Sequence, residues 1–395
     1  MVPSNSPMAR RARGFTLIEL LVGTVTTAII LTAVAATFVG VQGSYQTEAR
    51  IKVSVEGMRT ATNFIEQRLR MAGYGVDPRF AFDFDVTTAA LPSATKSNYH
   101  IVLGKGLPDS ITDDLAFRYR DAAWMRRGIY AAGIQLDSGT FGMGFSAGQR
   151  FIVSCVGGKD YVVVKATSAV SRTSTSLSGT VDTALTPAAS IGAPCLTRTG
   201  DNLPYVMLLH ELRLRIMLMD GRPFLVALPS LDSLDTTTAV PLAADVESFQ
   251  VAYVMNRPSP VSTNNGLAAV DASSPVKNWV LGDADSAATD RVPDPLASPA
   301  PLYTSAYEDP SRFNRHPANI RAVRLSISVR STSPEASKRR AFARLSLEDS
   351  GEAAPEDGFY RTNMTTTVRV PNMLSRSAFN PPVGGEDPAG NVWGG

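Results

Sequence analysis

Cysteine and histidine are scarce in this chain. Its 395 residues include two cysteines, Cys155 and Cys195, and three histidines, His100, His210 and His316. No Cys/His group has the spacing of a zinc site, and there is little from which to build a nucleophile–histidine pair. An excess of one charge is missing as well. The 38 basic and 36 acidic residues leave a formal net charge of +2, too small a global field to point to nucleic acid. Gly104-Lys105-Gly106 and Gly157-Gly158-Lys159 lack the spacing of a phosphate-cradling loop. The acidic pairs Asp83 with Asp85 and Asp113-Asp114 do not follow the grammar of a calcium loop. Lys338-Arg339-Arg340 reads as a solvated charge run. The expectation is therefore a protein that is not an enzyme, with no cofactor, no metal and no nucleic-acid partner.

A long hydrophobic run is present. From Phe15 to Val41 the only formal charge is Glu19. A helix over that stretch rises about 40 Å, and about 20 apolar residues suffice to span a bilayer. Arg10, Arg11 and Arg13 precede it, with no acidic residue among the first 14. The positive-inside rule then places the N-terminus in the cytoplasm and the rest outside. A secretory signal has a shorter core and a small-residue cleavage site. The Arg10-Arg11 pair sits in a poor context for a twin-arginine signal. A plain membrane anchor has no use for Glu19, since a carboxylate costs about 2.5–3.5 kcal/mol at a bilayer centre.

Export bears on the cysteines. An even pair outside the cytoplasm suggests a Cys155–Cys195 disulfide. It would close a loop of about 40 residues and stabilise by about 4 kcal/mol in the loop-entropy description. Two free buried thiols are the alternative.

Beyond Gly43 the pattern becomes one-sided. Ile51, Val55, Met58, Thr62, Ile65, Leu69 and Ala72 recur at helical spacing, and Gly73 and Gly75 end the run. One helix is expected from about Phe15 to Ala72, apolar all round in its first half and amphipathic in its second. The remainder alternates as strands. They are expected at Leu115–Tyr119, Phe151–Cys155, Tyr161–Lys165, Leu212–Leu218, Phe249–Tyr253, Val323–Val329 and Thr365–Val370. Asp220-Gly221 signals a hairpin, whose returning strand Pro223 should weaken. Val323, Leu325, Ile327 and Val329 alternate with polar residues, as in a half-buried strand. Residues 168–202 and 257–317 read as irregular insertions, and 381–395 as a flexible tail.

The start, Arg10-Arg11-Ala12-Arg13-Gly14-Phe15-Thr16-Leu17-Ile18-Glu19, resembles the class III signal of a type IV prepilin. The helix end, Arg70-Met71-Ala72-Gly73-Tyr74-Gly75, is similar to the segment closing the first helix of PilW-type minor pilins. Weaker echoes of that family follow at Leu115–Arg120, Asp245–Tyr253, Arg321–Arg330 and Thr365–Val370. The resemblance implies an α+β, pilin-like fold, with a long N-terminal helix packed on a mainly antiparallel β-sheet head. It divides the chain into a cleaved leader (1–14), a transmembrane or filament-core half-helix (15–43), an amphipathic half (44–75) and a β-rich head (76–380). A prepilin peptidase would cut between Gly14 and Phe15, and Phe15 would be N-methylated. Glu19 would pair with the Phe15 amine of a neighbouring subunit and set the register between the two. The implied partners are that peptidase, other minor pilins, the major pilin, a tip protein and the inner membrane. The implied role is priming or capping pilus assembly, first at the inner membrane and then in the pilus. A J-type pseudopilin of type II secretion and a pilin-anchored adhesin or DNA-uptake receptor are the alternatives. One departure from the family is that Ala36 stands where major pilins usually carry a proline.

Overall fold

A computed structural model of the chain describes residues 15–83, 101–102, 111–157, 160–231, 237–255, 280–281, 320–334, 347–348 and 358–373. Arg10, Arg11, Arg13, Gly14, Asp85, His100, His316, both Gly/Lys runs in part or whole, Lys338-Arg339-Arg340, tail 381–395 and most of 257–317 lie outside the described residues.

Helix α1 runs Leu17–Leu69, without a proline to break it. By contacts the chain falls into two units, Met1–Val53 and Ser54–Gly395. In the second unit the apolar stripe of α1 is buried: Met58, Ala61, Ile65 and Leu69 are all 3% exposed or less. Thr62, the polar member of the stripe, donates its hydroxyl to the Met58 carbonyl at 2.8 Å and so carries no unsatisfied group into the core.

The helix exit explains its glycines. Gly73 (φ 77°) and Gly75 (φ 63°) both sit in the left-handed region. A Cβ on Gly73 would lie 2.6 Å from Met373 Sδ, and one on Gly75 would lie 2.8 Å from Arg120 Nε. Between them Tyr74 accepts the Arg120 amide on its carbonyl at 2.8 Å, and its hydroxyl lies 2.9 Å from the Arg120 guanidinium. The Arg-Met-Ala-Gly-Tyr-Gly motif is thus a turn that delivers the chain from helix to sheet at a fixed angle.

The short helix α2 (Pro78–Ala81) follows, then strands β1 (Phe82–Asp83), β2 (Ile101–Val102), β3 (Ile111–Thr112), β4 (Leu115–Tyr130), β5 (Gly133–Leu136), β6 (Arg150–Ser154), β7 (Tyr161–Ala166) and β8 (Ser176–Val181). After three 3-10 turns come β9 (Tyr205–Met219), β10 (Arg222–Leu228), β11 (Val240–Ala244), β12 (Val246–Met255), β13 (Val280–Leu281), β14 (Ile320–Arg330) and β15 (Arg361–Arg369). Among the described residues every pairing of strands is antiparallel. The larger sheet has the order β1-β4-β5-β8-β7-β6-β9-β10-β11, and the smaller one β13-β12-β14-β15.

An additional β4–β9 pairing closes β4-β5-β8-β7-β6-β9 into a ring of strands. Trp124, Phe141, Phe145 and Phe151 fill it, with ring centroids 5.0–5.9 Å apart. Such contacts favour tilted and edge-to-face geometry, which fixes one packing. A second core joins the α1 stripe to Phe117, Leu214, Phe249, Leu325 and Val368 from both sheets.

Three expectations need correction. Pro223 does not spoil the returning strand. Asp220 (φ 51°) and Gly221 (φ 75°) form a two-residue turn that makes Met219 and Arg222 the first pair. The next pair, Leu218 with Pro223, is the type that makes no ladder bonds, so the missing donor of Pro223 is not called upon. Residues 168–202 are not merely irregular. They contain β8 and 3-10 turns at Ala188–Ser190, Pro194–Thr197 and Gly200–Asn202. Strand β14 is buried on both faces: Ser326 and Ser328 are covered, and Ser326 Oγ donates to Glu348 at 2.9 Å.

Candidate functional site

The segment Leu17–Gly43 is long and apolar enough to cross a membrane, and none of it is buried within the chain. Its first turn forms a capping box. Glu19 Oε2 accepts from the Thr16 amide at 3.3 Å and from the Thr16 hydroxyl at 3.1 Å, while the Glu19 amide donates to Thr16 Oγ1 at 3.3 Å. The carboxylate also sits at the positive end of the helix dipole. The Thr-x-x-Glu spacing was visible in the sequence, yet Thr16 carried no role in that reading. Among the described residues, Glu19 Oε1 accepts no hydrogen bond.

The hydroxyls further along are satisfied within the helix. Thr24, Thr26, Thr27, Thr32 and Thr37 each donate to a carbonyl three or four residues back, at 2.7–2.9 Å. A polar group without a partner is expensive in lipid, and these need no outside one. Phe15 is 81% exposed and lies just before the helix. Of the expected site residues at this end, Phe15 and Glu19 are thus placed on one exposed helix start. Gly14 and the leader arginines lie outside the described residues.

Cys155 and Cys195 are joined, with their Cα atoms 5.7 Å apart. Cys155 follows β6, and Cys195 lies in the 3-10 turn whose Leu196 enters the aromatic core. The bond therefore ties the 168–202 stretch to the ring of strands. Removing it with the Cys155→Ser/Cys195→Ser pair is expected to cost up to about 4 kcal/mol. Denaturation of the full chain in detergent, with and without reductant, measures this. Equal midpoints for wild type and variant would show that the tie contributes nothing.

Among the described residues, the chemical candidates Asp83, Asp113, Asp114 and His210 have structural partners. Arg118 donates to Glu211 Oε1 at 2.8 Å and to the Phe80 carbonyl at 3.1 Å, and pairs with Asp83. Arg150 bridges Glu211 and Asp182 at 2.5 and 2.8 Å. Burial disfavours the Arg118 cation, but Asp83 and Glu211 outweigh it and raise its pKa above the ordinary value. Asp113 accepts the Val251 amide at 2.7 Å. Asp114 faces Arg213 at 3.2 Å and Arg215 at 3.6 Å; burial raises its pKa against the pull of both cations.

His210 Nε2 lies 2.8 Å from Asp121 Oδ2. Burial alone would raise the Asp121 pKa, but the bonds from His210 and the Trp124 and Ala123 amides lower it. The stability it contributes is present above the ordinary aspartate pKa and is lost as acid carries the pH down through the lowered one. Among the described residues, no group of three or more His, Cys, Asp or Glu could hold a metal.

Comparison with known proteins bears on both ends of this reading. The family model for type IV pilus-assembly protein W matches residues 219–372, from the end of β9 through the 3-10 turn after β15. A type IV-like pilin of Thermus thermophilus is similar at 14% identity and a TM-score of 0.20, over 57% of this chain and 86% of that one. No curated protein matches.

Proposed function

We propose that this chain is a minor pilin, a structural subunit that primes or caps the assembly of a type IV pilus. The observation that carries the reading is the helix start. A membrane-length apolar helix carries one carboxylate, capped by its own Thr16 through Oε2 and with Oε1 left over. The 219–372 match to a pilus-assembly family supports it from the other end of the chain.

In this reading the precursor sits in the inner membrane with Arg10, Arg11 and Arg13 on the cytoplasmic side. A prepilin peptidase cuts after Gly14, and the Phe15 amine is methylated. That amine then meets Glu19 of a neighbouring pilin. Oε2 keeps the neighbour's first turn wound while Oε1 takes the incoming cation. An unpaired charge in an apolar bundle is costly and a paired one tolerable, so the pair favours one axial register. The head, tied by Cys155–Cys195, faces outward toward other minor pilins and a tip protein.

A strain lacking the protein tests this. It should make no pili, because a priming subunit is needed in few copies but is needed absolutely. Re-expression of a form with residues 257–317 replaced by a short Gly/Ser link should restore pilus number, since closure entropy depends only logarithmically on loop length. Normal pilus number in the null, with adhesion or DNA uptake lost, would favour the receptor reading instead. Loss of protein secretion with pili intact would favour a pseudopilin.

A further inference from the structure

Strand β15 ends the smaller sheet, and among the described residues no strand pairs with its outer edge. Its register against β14 runs without a shift from Ala322–Arg369 to Arg330–Arg361. Two flanking bonds fix the phase of that ladder: the Val370 amide donates to the Arg321 carbonyl at 3.0 Å, and the Ser331 amide to the Tyr360 carbonyl at 2.7 Å. Antiparallel ladders alternate bonded and non-bonded pairs. Thr362, Met364, Thr366 and Val368 therefore turn their backbone groups toward β14. Asn363, Thr365, Thr367 and Arg369 turn theirs outward, and among the described residues no strand pairs with them. Thr365, Thr367 and Arg369 are exposed.

Sheet edges are ordinarily defended by proline, lysine, bulges or shortness. The other edges here follow that rule. Strand β11 carries Pro241 and faces a register shift at Leu225/Val226. Strands β1 and β13 are two residues long. The edge of β12 is taken up by Thr112 and Asp113, whose side chains bond the Phe249 and Val251 amides. Strand β15 has none of these defences: from Thr362 to Val368 it is Thr-Asn-Met-Thr-Thr-Thr-Val, strongly strand-forming and uncharged.

Charged residues stand on both faces beside it. Thr62 touches Met364, and the Asn372 side chain donates to the Arg70 carbonyl, so α1 runs alongside β15. Helical spacing then puts Arg59, Asn63 and Glu66 on the flank beside the open edge. Glu66 is already paired with Arg70. Arg59 is exposed on that flank, and Arg369 is exposed on the opposite side of the sheet. Neither has an ion-pair partner among the described residues.

We propose that the outer edge of β15 is a strand-addition site. Its occupant is an extended, β-branched segment of a different pilin subunit, carrying acidic side chains that meet Arg59 on one face and Arg369 on the other. The added strand would take up the outward amides and carbonyls of Asn363, Thr365, Thr367 and Arg369, with main-chain bonds holding it and the two arginines selecting it. This rests on the assembly reading above.

The test uses the full chain in detergent, alone and co-expressed with the other pilin subunits of the producing strain. Amides of Asn363, Thr365, Thr367 and Arg369 should exchange with deuterium at least tenfold more slowly in the complex, while those of Leu242, Ala243 and Ala244 stay unchanged. Thr367→Pro removes an outward donor but no ladder bond, so the protein should fold with an unchanged melting midpoint and lose the partner at least tenfold. Thr367→Ala should keep it, because the backbone and not the side chain is used. Arg59→Glu with Arg369→Glu should weaken it about tenfold. Complex formation without protection of these amides, wild-type binding by Thr367→Pro, or recovery of only a second copy of this chain would overturn the proposal. A null strain lacking pili but fully rescued by Thr367→Pro would overturn this inference alone. A fully piliated null would overturn the assembly reading and this inference with it.

Discussion

Glu19→Ala is expected to reach the membrane, to be processed normally, and to fail in assembly. Insertion should be no worse than wild type, since the change removes the only charge between Phe15 and Val41. Processing should be intact, because the proposed cut lies between Gly14 and Phe15, away from Glu19. The mature mass should lack residues 1–14 and carry one N-methyl group. Incorporation into pili should fall at least tenfold if, as proposed, the carboxylate receives the neighbour's amine. Glu19→Gln separates two roles. It keeps an oxygen for the Thr16 amide and hydroxyl while removing the charge. If it assembles like wild type, helix capping is what Glu19 supplies, and the registration reading falls. If it fails like Glu19→Ala, the charge is what counts. Immunoblots of sheared pili against whole membranes give the ratio directly.

The second large effect is expected in the head. Arg118→Ala should destabilise the folded chain by about 3–5 kcal/mol, the scale for removing one partner from a buried ion pair. Arg118 is 6% exposed and joins Asp83, Glu211 and the Phe80 carbonyl. Without it, Asp83 and Glu211 lose the cation between them, Glu211 keeping Arg150, and β1 loses one polar tie to β4. Arg118→Lys should recover only part, since a single ammonium cannot reproduce the planar fork. Urea unfolding of the full chain in detergent reads the difference. A loss below about 1 kcal/mol, the scale of a surface pair, would show that the network is solvated in solution.

The helix was legible because its signals are local. Ile65, Leu69 and Ala72 sit at helical spacing whatever they pack against, and Gly73 and Gly75 mark the exit. The Asp220-Gly221 hairpin was legible for the same reason. What alternation cannot reveal is what covers the other face of a strand. Arg118, Arg213 and Arg215 alternate with apolar residues as a solvated row would, yet the structure buries all three. Strand β8, Ser-Leu-Ser-Gly-Thr-Val, has too few apolar residues to announce itself. Its pairing with β5 and β7 decides its conformation. Closure of the ring depends on β4 meeting β9 across about 90 residues of chain, and no local pattern encodes such a pairing. At the helix start both Thr16 and Glu19 were in view. The carboxylate alone stands out there, because a charge interrupts an apolar run and a cap does not.

The five inward-bonded threonines have a consequence for how such a segment changes hands between environments. A helix whose hydroxyls are already answered by its own carbonyls presents nearly the same chemical surface to acyl chains as to other helices. Leaving one medium for the other then alters little except the surroundings of a single carboxylate. Along most of its length no hydroxyl would need a new partner on transfer, and the one point of selection would be the carboxylate. In the assembly proposed above, a subunit built this way would pass between bilayer and filament with little change in its polar contacts, and the pairing of one charge would tip the balance.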